Sequence, residues 1–514
     1  MTTLRAERAP VRSTRGVGRA TVFVPGWVWG VALVAVGLLA VVVRVRLLIQ
    51  SGGLDGSDGY DDGVYYAAAD ALVHGRLPYR DVLLLQPPGT ILALAPFAWF
   101  GSLTHDPYGV IAARLGFIAI GGLNAALVMR IARRFGGVAA GIAGVGYAVF
   151  FPAAYAERST LLEPLGTCGL LLAVLLVDRA ARHPRTGMLL AGAAAGVAMG
   201  MRIWYVVPAA LIAAVHWRSA VRFVIGAATA AAAIYGPFLL VSPAALVQQV
   251  VLDQVGRQRT TTVPVQERLT TLLGAMPLHL PGPWSALLSP TAVGALLLIG
   301  LLVCGIVTLG IRGARLHPLA ALAGIAVLLA SPSYFLHYGA LTAPWIVLTV
   351  AIGSARMLAR LRSVPLRGLL AGLLLVVLAA LNLRAVGLAQ PSAPIPVSVL
   401  RPPALRVSGC VMADDQQILA AMDVLSRDLA RGCRLWPDVT GYTMDRDAVT
   451  VRGTPVPRRQ DEVWQQDVTR YLLSGDAVVV HRAATDLDPD SSRLIRAGRV
   501  LAHTGTWTLH AVSH

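Results

Sequence analysis

The residues best suited to chemistry fall in two short acidic stretches. The first, GGLDGSDGYDDGVYY over residues 52–66, sets Asp55, Asp58, Asp61 and Asp62 among glycines and tyrosines. The second, YAERSTLLEP over residues 155–164, carries Glu157, Arg158 and Glu163. A carboxylate held in a shaped loop can take a proton from a hydroxyl as that hydroxyl attacks an electrophilic carbon. It can also cap the amides of a helix start, and one member of the Asp61–Asp62 pair suits that duty. A cap does not need the other carboxylates. For Glu157 the alternative is an interfacial arrangement with Arg158. Glu163 stands among apolar neighbours, where an ionised carboxylate is costly unless paired or solvated in a cavity.

Basic and aromatic groups complete the set. Arg44, Arg46, Arg202, Arg257, Arg259 and Arg268 sit where a simple orientation rule would not put positive charge. Snorkelling accounts for any one of them; holding an anionic lipid phosphate by charge-assisted hydrogen bonds is the functional alternative, for which Arg202 and Arg268 are the candidates, with Arg80 and Arg158 as further donor- or substrate-binding candidates. Arg80 and Asp81 close the stretch GRLPYRD, and Gln86, Pro87 and Pro88 form a QPPG turn that shapes the loop. In SPSYFLHYGALTAPW, residues 331–345, His337 could donate to a phosphate or hydroxyl, while Tyr338 reads equally as an aromatic belt residue.

The elements that must position these groups are membrane helices. The chain of 514 residues is 56% hydrophobic and 14% charged, with mean hydropathy +0.64. Apolar runs of spanning length recur from residue 24 to 388. They fall near residues 24–43, 108–129, 136–153, 161–177, 187–201, 203–217, 221–241, 284–309, 318–332, 338–356 and 367–388, about eleven spans. Residues 89–104, which contain Pro96, are too short to fit this alternation and read as a short or re-entrant helix at the outer face. The whole is a polytopic α-helical membrane protein.

All 44 residues of the Lys/Arg class are arginine, and the formal charge is +17. The arginines cluster in short turns, at 130–134, 179–185, 218–222, 312–315 and 356–367, as orientation against an anionic membrane surface requires. Nucleic acid is therefore not the expected partner; the lipid bilayer is. Residues 1–23 read as a basic cytoplasmic tail and residues 24–388 as the transmembrane domain, with an outer loop at 44–107. The tail at 389–514 opens on a proline-rich linker and reads as a small extracytoplasmic α+β domain that docks on the membrane part, since its size barely supports a core. Within it QQILAAMDVLSRDLARG reads as one amphipathic helix, AVVV and TWTLHAV as strands, and Cys410 with Cys433 as a candidate disulfide in an oxidising compartment.

On these residues the chain resembles the integral-membrane glycosyltransferases of the GT-C superfamily, which includes protein O-mannosyltransferases and lipid A aminoarabinose transferases, and among them actinobacterial members. The likeness rests on Asp61 or Asp62 after the first span, GRLPYRD from Gly75 to Asp81, the QPPG turn, the ARRFGG boundary near residue 134 and the acidic turn ending LLEP. It covers roughly residues 25 to 385 in layout. The resemblance implies transfer of a sugar from a polyprenyl-phosphate carrier, usually with inversion, to a cell-envelope acceptor outside the bacterial plasma membrane. It carries a catalytic acidic role onto Asp62 or Asp61, and a second acidic position onto Glu163 or Glu157. It supplies no secure match for the phosphate-holding bases. No cofactor is assigned: oligosaccharyltransferase relatives use a divalent cation, Mg or Mn, whereas many monosaccharide-transferring members need none, and the chain shows no decisive metal pattern. Two other classes remain open, a transporter or flippase of a lipid-linked intermediate and a noncatalytic envelope assembly protein. Inverted repeats and midplane polar groups would mark the first, and no convincing repeat is visible.

Overall fold

The computed structural model describes residues 25–56, 59–180, 183–255, 263–276, 289–389, 391–439, 450–451 and 454–513. The basic tail, Asp58, Arg257 and Arg259 lie outside the described residues, as does the side chain of Asp55. The chain is a helical bundle with a small mixed domain packed on one end. The bundle begins with α1 (Gly26–Gln50), α2 (Tyr60–Val73), α3 (Gly89–Leu103), α4 (Asp106–Ala132), α5 (Gly137–Val149), α6 (Phe151–Ala156), α7 (Glu163–Arg179), α8 (Pro184–Met201), α9 (Val206–Val215) and α10 (Ala220–Val241). A helical stretch from Pro243 to Val255 follows, and helices Val265–Leu272, Pro290–Leu309, Leu316–Ala330, Ala343–Leu358 and Val364–Leu388 come after it.

Among the described residues, five helical stretches are long and apolar enough to cross a bilayer: Gly26–Gln50, Asp106–Phe135, Trp217–Val241, Thr291–Leu309 and Val364–Leu388. The other six expected spans are occupied by shorter or more interrupted helices. Two of these, α5 and Ala343–Leu358, bury most of their residues against neighbours. A helix wrapped in protein has its length set by packing, not by the roughly 30 Å of hydrocarbon that a lipid-facing helix must match. α5 also ends abruptly because Phe150 is extended and Pro152 opens α6. α3 has 15 residues with Pro96 inside it, and it packs on α2, α4 and α8.

The turns sort to two ends. At one, Arg134 pairs with Asp178 and donates to the carbonyl of Gly313 at 2.8 Å, while Arg133 lies 4.4 Å from the centre of the Trp29 ring. At the other, the end of α1, the start of α4, the α6–α7 turn, the α8–α9 turn and residues 331–342 meet. Ser51, Arg158, Arg202, Trp204, Arg268, Ser331 and Tyr338 touch one another there in pairs.

The C-terminal domain carries a four-stranded sheet in the order β1 (Val411–Ala413), β4 (Ala477–Val479), β6 (Trp507–Ala511), β5 (Val500–Thr504), with β1 parallel to β4 and the other pairs antiparallel. A separate pair joins β2 (Thr450–Val451) to β3 (Thr454–Pro455). Cys410 and Cys433 form a disulfide. The stretch expected as one amphipathic helix is instead two, Gln416–Ala421 and Leu425–Ala430. The break falls at Asp423, which has φ 63° and points its carboxylate at His105, the amide of Asp106 and Arg401. The domain has an apolar cluster of its own around Met412, Trp464, Val468, Tyr471 and Val478, and a second one that it shares with the bundle. This second cluster runs without interruption from Val64, Ala67, Ile91, Leu94 and Val110 of the bundle into Ile418, Leu419, Leu425 and Leu509 of the domain.

Candidate functional site

The acidic mouth is built on the first turn of α2. Adjacent residues on a helix lie about 100° apart around its axis, so Asp61 and Asp62 face different surroundings. Asp62 turns inward and is buried. One of its oxygens accepts from Arg114 Nη2 at 2.8 Å and from the Ser159 hydroxyl, while Oδ1 is buried with no hydrogen-bond partner. The same guanidinium donates to the carbonyls of Gly53, Leu54 and Gly56, so Arg114 straps the Gly53–Gly56 turn and the start of α2 to α4. Asp61 turns the other way: its side chain is 40% exposed and its Oδ2 lies 3.7 Å from His337 Nε2.

Behind His337 stands an aromatic wall. His337 packs edge-on against Tyr338 with centroids 4.8 Å apart, and Tyr338 packs edge-on against Trp204 at 4.8 Å. The Arg202 guanidinium lies 4.2 Å from the Tyr338 ring centre and 4.5 Å from that of Trp204, and it pairs with Glu163. The other oxygen of Glu163, Oε2, is buried without a partner. Tyr65, one turn along α2 from Asp61, sits among the same groups. Burial and then Asp61 push its phenol well above the ordinary value, Arg202 opposes, and Glu163 and Tyr338 add to the rise. Asp61, Tyr65, Glu163, Arg202, Trp204, His337 and Tyr338 thus converge from α2, the α6–α7 and α8–α9 turns and the 331–342 segment.

Glu157 does not join them. It is fully buried and both of its oxygens are occupied: Oε2 by Arg44 Nη2 at 2.6 Å and Nε at 3.1 Å, Oε1 by Asn124 at 2.7 Å and the Tyr147 hydroxyl at 2.8 Å. Arg44, which read as a rule-breaking arginine beyond the first span, lies inside α1 and finds its reason in this pair. Arg158 donates to Ser51 at 3.0 Å and covers the Tyr155 ring at 3.6 Å. Arg268 is buried and donates to the carbonyls of Val263 and Ser331, with Tyr334 at 5.7 Å. Both tie loops together at the mouth.

Arg80 and Asp81 lie apart, as a surface pair at 2.7 Å. Arg80 draws the Asp81 carboxyl below its usual range, and the amide of Leu77 helps. The QPPG turn shapes the loop: the Gln86 carbonyl accepts the Tyr79 hydroxyl at 2.7 Å, and buried Pro87 and Pro88 lead into α3. Gln249 and Gln254 hold this loop through the Leu84 amide and the Leu85 carbonyl.

The residues that sequence reasoning missed are Arg114, Ser159, Asn124 and Tyr147. Arg114 carried a legible signal, a lone arginine inside an apolar run, and such a group must find a partner. Asn124 and Tyr147 look like ordinary span residues. Among the described residues no group of three or more His, Cys, Asp or Glu side chains is placed to hold a metal ion. Among the described residues, the two site carboxylates with an unpartnered buried oxygen, Asp62 and Glu163, are each already paired with a different arginine.

No family model matches the chain, and no curated protein matches it by sequence. Solved structures do. The chain shares its fold with the three that follow. ArnT from Cupriavidus metallidurans, a lipid A aminoarabinose transferase solved with undecaprenyl phosphate bound, superposes with TM-score 0.60 at 15% identity, over 95% of this chain and 98% of that one. The oligosaccharyltransferase of Archaeoglobus fulgidus, tethered to an acceptor peptide, gives TM-score 0.53 at 13% identity, over 95% of this chain and 75% of that one. The same organism's AglB in complex with an inhibitory peptide and a dolichol-phosphate gives 0.51 at 14%, over 89% and 70%.

Proposed function

We propose that the chain is a membrane glycosyltransferase that moves a sugar from a polyprenyl-phosphate donor to an extracytoplasmic glycan, lipid or protein acceptor of the bacterial cell envelope, with inversion. The observation that carries this reading is the half-open Asp61 carboxylate beside His337, backed by Arg202 between two rings. The acceptor hydroxyl oxygen attacks the anomeric carbon and its proton passes to Asp61, while the bond from that carbon to the phosphate oxygen breaks and polyprenyl phosphate departs. His337 donates to the anionic carrier, and buried Arg202 adds positive charge where the phosphate charge develops. Polyprenyl phosphates bound to two of the similar structures support the donor class. No step is assigned to a metal ion. The arginine-rich end fits the cytoplasmic face, which supports an outer location for the mouth and the C-terminal domain.

The test is a transfer assay on the full chain in nanodiscs with a panel of polyprenyl-phosphate sugars and a membrane extract as acceptor. Wild type is expected to release polyprenyl phosphate with one sugar class, and Asp61→Asn to lose about 10²–10⁴-fold in rate while still folding. Undiminished transfer by Asp61→Asn overturns the base assignment, and no transfer by folded wild type from any donor overturns the activity.

A further inference from the structure

α2 is buried on every side: each residue from Asp62 to Ala71 is covered. A helix lying on a bundle would leave one face to solvent. Here α3 packs on α2 from the bundle side, joined by Arg114 and Asp106 of α4, and the C-terminal domain packs on it as well.

The domain's contacts bracket the acidic pair. On the side preceding it, the Tyr60 hydroxyl donates to Asp438 at 2.9 Å, and Arg482, itself paired with Asp415 at 2.7 Å, lies 5.0 Å from the Tyr60 ring centre. On the side following it, Gly63 lies so close to Gln417 that a β-carbon there would come within 2.8 Å of both the Gln417 amide nitrogen and its Cβ. Only a residue without a side chain lets the two helices meet this closely.

Further along, the Ser426 hydroxyl lies 2.9 Å from Asp70 and also bonds Asp106 of α4. Arg76 donates to the carbonyl of Cys433 at 2.6 Å, beside the disulfide. From the bundle side, Arg114 and Ser159 hold Asp62 itself. A helix start gripped from both directions has one place to point its remaining carboxylate.

We propose that the C-terminal domain is a positioning clamp for the acidic pair: through Tyr60 and Gly63, the neighbours of Asp61 and Asp62, it sets the placement of Asp61 against His337. Tyr60, Gly63, Gln417 and Asp438 are then positioning residues that act through Asp61. The catalytic part of this inference rests on the activity proposed above; the mechanical part does not.

The experiment uses the full chain in nanodiscs and makes three measurements on wild type, Gly63→Ala and Tyr60→Phe: amide hydrogen exchange over residues 60–72, undecaprenyl-phosphate binding per chain, and sugar transfer per lipid-binding site. Gly63→Ala is expected to speed exchange over that segment about tenfold and to lower turnover per binding site roughly ten- to a hundredfold, with lipid binding kept. Tyr60→Phe, which removes one hydroxyl, is expected to change both in the same direction by about threefold. If Gly63→Ala fails to fold, Tyr60→Phe decides. Unchanged exchange in the folded variants overturns the clamp, as does faster exchange with wild-type turnover. If wild type transfers nothing, the proposed activity is what has failed, and the exchange measurement alone decides whether the domain holds α2.

Discussion

Two acid–base groups sit at the same end of the bundle and differ in what their oxygens touch. In the group around Glu157, Arg44, Asn124 and Tyr147 fill both carboxylate oxygens, and neither Glu157 nor Arg44 has any exposed surface. In the group around Asp61, the carboxylate is 40% exposed, its histidine neighbour is 3.7 Å away, and the adjoining Glu163 keeps one buried oxygen without a partner. A closed, saturated network spends its charges on holding helices together, because nothing further can bind to it. An incompletely satisfied group beside an opening retains capacity for a substrate. Glu157 and Glu163, only six residues apart in the chain, therefore stand in opposite settings.

The sharpest way to break that contrast is to remove one charge from each group. Asp61→Asn is expected to lower the transfer rate about 10²–10⁴-fold and to leave the unfolding temperature near that of wild type, as a half-exposed side chain should. Glu157→Gln is expected to do the reverse. It strands the Arg44 guanidinium in a fully buried site and costs about 3–5 kcal/mol of stability, read as a large drop in thermal unfolding of the nanodisc-embedded chain, while transfer per folded molecule stays close to wild type. An inactive but stable Glu157→Gln protein would place Glu157 in the chemistry and dissolve the distinction.

Arg202 tests the boundary between the two kinds of group, since it is buried like Arg44 yet faces the open side through Tyr338 and Trp204. Arg202→Lys keeps the charge but loses the planar guanidinium that fits between the rings and forks toward Glu163. The expected result is a loss of roughly tenfold in kcat/KM with a modest fall in stability. A variant that loses stability alone would move Arg202 into the structural class.

Much of the architecture was legible because it follows from hydropathy. Apolar runs and arginine-rich turns alternate along the chain, and Arg134 does meet Asp178 and Gly313 at one end while the acidic turns gather at the other. The partnerships were not legible. Arg44 reaches Glu157 across 113 residues and Ser426 reaches Asp70 across 356, separations over which no local period carries information. The choice between Asp61 and Asp62 was likewise closed to sequence reasoning, because it depends on which way the first turn of α2 is rolled. That roll is set by Arg114 and by the contact of Gly63 with Gln417. The break at Asp423 was missed because helix periodicity continues through it. The left-handed turn is fixed by His105, Arg401 and the Asp106 amide, groups from elsewhere in the fold.

The smallest expected effect belongs to Arg80, which lies in the same outer loop as the acidic pair and read as a donor- or substrate-binding residue. Its side chain is half exposed and forms a pair with its own neighbour, Asp81. Exposed pairs of this kind are screened by solvent and salt and add little to stability. Asp81 has a second anchor, the amide of Leu77 at 2.9 Å, so it keeps its place in the turn when the guanidinium is gone. Arg80→Ala is therefore expected to leave the unfolding temperature, lipid binding and transfer rate at wild-type levels, at low and high salt alike. A clear loss of undecaprenyl-phosphate binding in this variant, matched by a salt-induced loss in wild type, would show that the donor phosphate enters past the exposed loop. The open group would then extend beyond Asp61 and His337 to the rim of the mouth.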